Sequence, residues 1–160
     1  ATSARAGTPV SLTPEDFRDP RQLFDRVPFI ALLGLRRVYS EGGRARLQLP
    51  PRTDLGNVIA AVHGGAVFTM MDVAMASAAV SRFDFQRTAV TMNISSSYLS
   101  PGRGLLIADG DAERDLLVDL GIGQRRRAVG LGRLERADGV VVVPVRALWL
   151  RGQVTAMDEG

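Results

Sequence analysis

The segment from Gly64 to about Arg82 constrains the fold more than any other part of the sequence. It is rich in alanine and methionine, it has apolar residues on every helical face, and its one charged residue before Arg82 is Asp72. These features predict a long helix that is buried on all sides. The apolar run is short for a membrane span, and a carboxylate at its centre would be costly there, so we expect no transmembrane segment.

Apolar and polar residues alternate along much of the remaining chain, which predicts strands. The strands are expected at 88–99, 104–120, 124–135 and 140–150, with a strand pair or one long bent strand at 32–49. Ser100-Pro101-Gly102 and Ala137-Asp138-Gly139 are predicted turns, and Glu41-Gly42-Gly43 is predicted to be a turn or a bulge. Pro144 indicates a bulge or an edge position. One helix cannot cover both faces of a parallel sheet, so we predict an α+β fold in which a curled antiparallel sheet wraps around one central helix.

The length of 160 residues suits a single domain. We expect residues 1–27 to form a leader with a short helix beginning at Thr13-Pro14, residues 28–151 to form the domain, and residues 152–160 to form a tail. Residues 1–14 lack the apolar core of a signal peptide, which favours a cytoplasmic protein without a membrane partner.

The composition excludes several kinds of chemistry. The chain has no cysteine, one histidine and 20 basic residues that are all arginine. Disulfides, thiolate nucleophiles, cysteine or histidine-rich metal sites and lysine Schiff bases are therefore excluded, and we expect neither a metal nor a cofactor. The net charge of +3 argues only weakly for a polyanionic partner, and we expect no nucleic acid.

Asp72 is the strongest candidate for catalysis, because a carboxylate on a buried helix must be neutralised, paired or used. A structural ion pair with an arginine of the sheet is the alternative. His63-Gly64-Gly65 stands at the start of the same helix, where free N–H groups and the positive end of the helix dipole favour an oxyanion. Glycine at this point lets a ligand approach the backbone closely.

The spacing of these two features has a consequence for assembly. Asp72 lies eight residues after Gly64, which is about 12 Å along a helix axis. A base and an oxyanion donor must both reach the same reacting group, so one helix cannot supply both. Two helices lying antiparallel across a two-fold axis can do so, which predicts a homodimer or a homotetramer with a site shared between subunits.

The stretch from Asn57 to Ala79, NVIAAVHGGAVFTMMDVAMASAA, resembles the signature of hotdog-fold thioesterases of the phenylacetate-degradation (PaaI-like) type. That signature has an Asn, a short loop, His-Gly-Gly, an Asp nine residues after the His, and an alanine-rich helix. Two further segments, VPFIALLGLRRV at 27–38 and TMNISSSYLSP at 91–101, resemble the same family. The resemblance covers about residues 27–151.

The resemblance implies hydrolysis of an acyl-CoA or aryl-acyl-CoA thioester to the free acid and CoA. Asp72 would be the general base or the nucleophile, and the N–H of Gly64 would polarise the thioester carbonyl. Asn57 and His63 would hold that carbonyl or the attacking water, and Thr91 would orient water beside the acid. Gly65 is a further candidate for substrate binding.

Three arginines, Arg125, Arg126 and Arg127, are candidates for binding the phosphates of CoA, although a solvated end of a hairpin is the simpler interpretation. Two departures from the family pattern, the long charged segment at 108–127 and Pro144, bear on substrate choice or assembly.

Two other functions stay open from the sequence. Hotdog enoyl-CoA hydratases or dehydratases also pair His with a carboxylate, but with different motifs. A non-catalytic acyl-CoA-binding protein is the second alternative.

Overall fold

The computed structural model describes residues 22, 24, 26–119, 124–139 and 141–153, and at 87–88, 113–119, 124–131 and 141–153 the description is limited to the backbone. Over these residues the elements are α1 (Pro28–Leu33), β1 (Arg36–Glu41), β2 (Arg44–Leu49), a 3-10 turn (Thr53–Leu55), α2 (Gly64–Ser81), β3 (Arg87–Ser96), β4 (Leu106–Asp119), β5 (Gln124–Arg136) and β6 (Val141–Gln153).

The strands form one antiparallel sheet in the order β1-β2-β4-β5-β6-β3. Helix α2 contacts all six strands and packs most extensively against β4 and β2. A sheet that contacts one helix with every strand must curl around it, so the predicted architecture is confirmed. Strand β3 lies at the edge of this sheet, where β6 is its hydrogen-bonded neighbour.

The core lies between α2 and the inner face of the sheet. Its largest fully buried side chains are Leu47, Leu49, Val67, Met70, Met71, Met75, Leu106 and Leu134. Each large apolar side chain contributes about 1.5–3 kcal/mol when it is removed from water. Gly110 in β4 lets the helix approach the sheet backbone, because a methyl group there would lie 2.5 Å from the carbonyl oxygen of Ala74.

Helix α2 has the predicted position, but the prediction that it is buried on all sides is wrong. One face, which the single sheet does not cover, is only partly buried and consists of Phe68, Thr69, Asp72, Val73, Ala76 and Val80. By length and composition α2 could cross a membrane. Within this fold, however, its opposite face forms the centre of the core.

The strand boundaries differ from the predictions mainly at the start of the domain. Residues 28–33 form a helix, whereas a strand was predicted to begin at residue 32. Pro28 occupies the first turn of this helix, where a missing N–H is harmless, and Gly34 ends the helix with a φ of 71°. Strand β1 therefore begins only at Arg36. Most of the predicted leader helix lies outside the described residues. In that region the structure describes Gln22, Phe24 and Arg26, which are helical.

Pro144 lies in β6, opposite Arg133 of β5. The pairing of β3 with β6 ends one residue away, at Val145, so among the described strands none pairs with Pro144 on that side. The register also shifts between Leu134 and Glu135 of the adjacent strand. Both observations agree with the predicted bulge or edge position.

Candidate active site

Asp72 and Thr91 are joined by a hydrogen bond. The hydroxyl of Thr91 on β3 donates to Oδ1 of Asp72 on α2 over 2.6 Å. This distance lies at the short end of the range for hydrogen bonds between two oxygen atoms. The register of β3 against β6 shifts between Thr91 and Asn93, immediately beside this contact. Such a bulge re-aims side chains, and here Thr91 faces the helix.

Asp72 lies in the partly buried face of α2 and not in the sealed core. Among the described side chains, Thr91 is its hydrogen-bonding partner, and no arginine forms an ion pair with it. Across the side chains that the structure describes, the second carboxylate oxygen has no partner.

His63 caps the start of α2. Its Nδ1 accepts a hydrogen bond from the N–H of Gly65 over 3.0 Å. This hydrogen bond satisfies one of the free N–H groups of the first helical turn. The N–H of Gly65 already donates to His63, so a substrate carbonyl would have to bind a different N–H of the first turn.

The N–H of Gly64 is that group. It stands at the first position of α2, and no described atom accepts a hydrogen bond from it. The carbonyl oxygen of the same residue accepts a hydrogen bond from the hydroxyl of Tyr98 over 2.9 Å. The ring of Tyr98 lies about 3.5 Å from the position that a methyl group on Gly64 would occupy. Tyr98 therefore limits the space beside Gly64.

Asn57 has a fixed orientation. Its side-chain oxygen accepts hydrogen bonds from the backbone N–H groups of Ile59 and Ala61, each over 3.1 Å. With the oxygen held in this way, the amide nitrogen is the donor that the side chain has left for a ligand.

Two cavities flank the start of α2. One of about 310 Å³ is lined by Asn57, Gly64, Val67, Tyr98 and Leu99, among others. The second, of about 450 Å³, is lined by Phe29, Leu33, Leu55, His63 and Thr69, among others. Apolar walls with a few polar groups are typical of sites for organic ligands.

The predicted site residues thus fall into two groups within one chain. Asp72 and Thr91 form the first, and Asn57, His63 and Gly64 form the second around the helix start. Because α2 is uninterrupted from Gly64 to Ser81, the eight residues between Gly64 and Asp72 separate the groups by about 12 Å. A single chain does not bring them together.

The arginine cluster is only partly described. Arg125, Arg126 and Arg127 lie in β5, with their backbone opposite Val118, Leu117 and Leu116 of β4. Their side chains fall outside the described residues, so their proximity to the site stays a prediction. Across the described part of the chain, no three side chains of the ligand types cluster closely enough to hold a metal ion.

Sequence reasoning gave no role to Tyr98. It lies in the segment 91–101 that carries the family resemblance, but its contact with Gly64 joins residues 34 positions apart. The sequence signal for Tyr98 was its position as an aromatic residue two positions after β3, the strand that carries Thr91.

The molecule resembles solved structures of several bacterial proteins. A conserved protein from Pseudomonas aeruginosa is 26% identical, with a TM-score of 0.68 over 79% of this chain and 94% of that one. The PaaI protein from the phenylacetic acid degradation operon of E. coli is 18% identical, with a TM-score of 0.70 over 91% and 98% of the two chains. A thioesterase family protein from Silicibacter pomeroyi is 20% identical, with a TM-score of 0.70 over 86% and 98%.

The likeness to the PaaI protein and to the thioesterase family protein confirms the predicted hotdog fold and the resemblance inferred from the sequence. No curated protein matches the chain significantly in sequence. Residues 21–158 match the family described as "Domain of unknown function (DUF4442)", and the chain, with its hotdog fold, belongs to that family.

Proposed function

We propose that the protein hydrolyses the thioester of an acyl-CoA or aryl-acyl-CoA to the free acid and CoA. The observation that carries this proposal is the 2.6 Å hydrogen bond from Thr91 to Asp72, on a helix face with no other charged residue. It orients the carboxylate of Asp72, which has no other hydrogen-bonding or ion-pair partner among the described side chains. The hotdog-fold neighbours named as thioesterases support a reaction of this type.

The proposal includes a homodimer, or a dimer of dimers, in which each site uses two subunits. The partly buried face of α2 contains Asp72 among apolar residues, which a second copy would cover. Strand β3 borders this face through Thr91 and, among the described strands, pairs on one side only. It is ten residues long, and Val90 and Met92 on it are exposed. A long unpaired apolar edge favours pairing with another strand.

An antiparallel arrangement of two α2 helices would place Asp72 of one subunit near the helix start of the other. The thioester carbonyl would then accept hydrogen bonds from the Gly64 N–H and the Asn57 amide of one subunit. Asp72 of the other subunit would face the carbonyl carbon. The first group would stabilise negative charge on the oxygen as it forms, which is the largest single contribution in many acyl transfers.

The chemical step follows from this placement. Asp72 accepts a proton from water while the water oxygen bonds to the carbonyl carbon, and the oxyanion is held by Gly64. The carbon–sulfur bond then breaks, and the departing thiolate takes the proton, which gives the acid and the free thiol. Direct attack by Asp72 followed by hydrolysis of the resulting anhydride gives the same products, and Thr91 would orient the carboxylate in both routes.

A thiol-release assay over short, long and aromatic acyl-CoAs tests the proposal directly. Turnover that liberates one thiol per acid supports it. Loss of the enoyl absorbance of an enoyl-CoA without thiol release would instead indicate a hydratase. Tight binding of acyl-CoA without turnover of any thioester would indicate a binding protein.

A further inference from the structure

The loop from Asn57 to Ala61, here called the asparagine loop, is held in an unfavourable backbone conformation. Ala60 has a φ of 54°, in the left-handed region that residues other than glycine rarely adopt. Val58 and Ile59 in the same loop are exposed, so burial of their side chains does not hold it in place. Strain of this kind persists only when the surroundings enforce it.

Arg103 supplies hydrogen bonds that enforce it. Its Nη2 donates to the carbonyl oxygen of Ile59 over 3.1 Å, and its Nε donates to the carbonyl oxygen of Ala60 over 3.3 Å. The preceding residue, Gly102, accepts a hydrogen bond from the N–H of Val62 over 2.8 Å. One planar guanidinium therefore fixes two consecutive carbonyls on either side of the left-handed residue.

The two carbonyls belong to the loop that orients Asn57. The Asn57 side-chain oxygen accepts from the N–H groups of Ile59 and Ala61, so the backbone at 59–61 must keep its geometry for the amide to keep its direction. The same loop leads through Val62 directly into His63 and the start of α2. Asn57 and Gly64 line one cavity.

We propose that Arg103 is a positioning residue that clamps the left-handed asparagine loop through the carbonyls of Ile59 and Ala60, and so aims the Asn57 amide at the bound carbonyl. This inference rests on the proposed thioesterase function. Arginine suits the task because its Nε and Nη donors form a rigid fork, whereas a lysine ammonium offers a single flexible point of contact.

The test compares Arg103→Gln, Arg103→Lys and the double variant Arg103→Gln/Ala60→Gly on one good thioester. We expect kcat to fall about 10- to 100-fold in Arg103→Gln, the range for a modest misplacement of a catalytic group, with KM nearly unchanged. Lysine should recover little of this loss. Ala60→Gly should recover most of it, since glycine adopts a φ of 54° without strain and needs no clamp.

A role in binding the phosphates of CoA is the competing explanation for a loss of activity. In that case Arg103→Gln would raise KM, the defect would vanish with a pantetheine thioester that lacks the nucleotide, and Ala60→Gly would rescue nothing. This pattern would overturn the proposal. Arg46→Gln is the matched control, because Arg46 pairs with Asp109 on the sheet and touches no part of the loop.

Hydrogen exchange separates this inference from the proposed activity. The amides of Ile59 and Ala61 should exchange faster in Arg103→Gln and return towards the wild-type rate in the double variant. Wild-type exchange rates in Arg103→Gln would reject the clamp, whether or not the protein hydrolyses any thioester. Faster exchange in a protein without thioesterase activity would keep the clamp and reject only its role in that reaction.

Discussion

Gly64 and Asp72 lie on one uninterrupted helix, about 12 Å apart along its axis. Gly64 stands at the helix start with a free N–H among the described atoms, and Asp72 lies on the partly buried face near the middle. If both act on one thioester, they must come from different subunits.

Asp72→Asn should lower kcat by about 10²–10⁴, the usual range for loss of a positioned base. Asparagine keeps the size of the side chain and can still accept the Thr91 hydrogen bond, but it cannot act as an ionised base or nucleophile. The melting temperature should hold or rise slightly, because a charge on a partly buried helix face has been removed. Thioester hydrolysis and thermal melting are measured on the same preparation. A folded Asp72→Asn protein with wild-type turnover would mean that Asp72 is not catalytic.

Thr91→Val should lower kcat about tenfold or more while the fold persists, because the carboxylate of Asp72 loses the 2.6 Å hydrogen bond that orients it. Thr91→Ser is the matched control. It keeps the hydroxyl and should keep most of the activity. Equal losses in the valine and serine variants would point to packing of the Thr91 methyl group instead of the hydrogen bond.

Gly64→Val should abolish activity by obstructing the approach of the thioester to the helix start, where loss of one oxyanion donor typically costs about 10²–10³ in turnover. The structure offers a graded comparison, Gly64→Ala. A methyl group there would make ordinary contacts of 3.5–3.6 Å with the Tyr98 ring, so the alanine variant should fold normally. We expect its activity to lie between those of the wild type and the valine variant. Wild-type rates in a folded Gly64→Val protein would remove Gly64 from the mechanism.

Mixing the inactive Asp72→Asn and Gly64→Val proteins should restore activity. In a heterodimer, one site combines the intact Gly64 of the first chain with the intact Asp72 of the second, and the other site carries both defects. Random exchange of subunits makes half of the dimers heterodimeric, so about a quarter of wild-type activity is expected. Light scattering at micromolar concentration checks that dimers or tetramers are present. A monomeric mass, or no recovery after complete subunit exchange, would contradict a shared site.

The sequence predicted what depends on local pattern and could not predict what depends on contacts between distant segments. His63-Gly64-Gly65 and Asp72 could be predicted as site residues because their spacing along one helix is a property of the sequence itself. The family resemblance placed Thr91 beside the acid, but the direct hydrogen bond to Asp72, next to a bulge in β3, does not show in period-two patterning.

The clamp of Arg103 on the asparagine loop joins residues 43 and 44 positions apart, and nothing near either segment indicates it. The incomplete burial of α2 was also missed. An apolar helix predicts that every face is covered, but it does not say whether the same chain or a second copy provides the cover.

The packing of α2 on the sheet yields a prediction about stability. A methyl group at Gly110 would lie 2.5 Å from the carbonyl oxygen of Ala74 and 3.0 Å from the Cα of Met75, and these backbone atoms cannot move without shifting the helix. Gly110→Ala should therefore lower the free energy of unfolding by about 1–3 kcal/mol or more, the range for overpacking.

Gly132→Ala is the matched control on the neighbouring strand. Its methyl group would meet the Cε of Met71 at 2.6 Å and the Sδ of Met75 at 2.8 Å, which belong to flexible side chains that can rotate away. The loss of stability in urea denaturation should therefore be smaller at Gly132 than at Gly110. Equal losses of unfolding free energy at the two positions would show that the side chains of Met71 and Met75 are as immobile as the helix backbone. The side chains of α2 would then be held against the sheet as rigidly as its main chain.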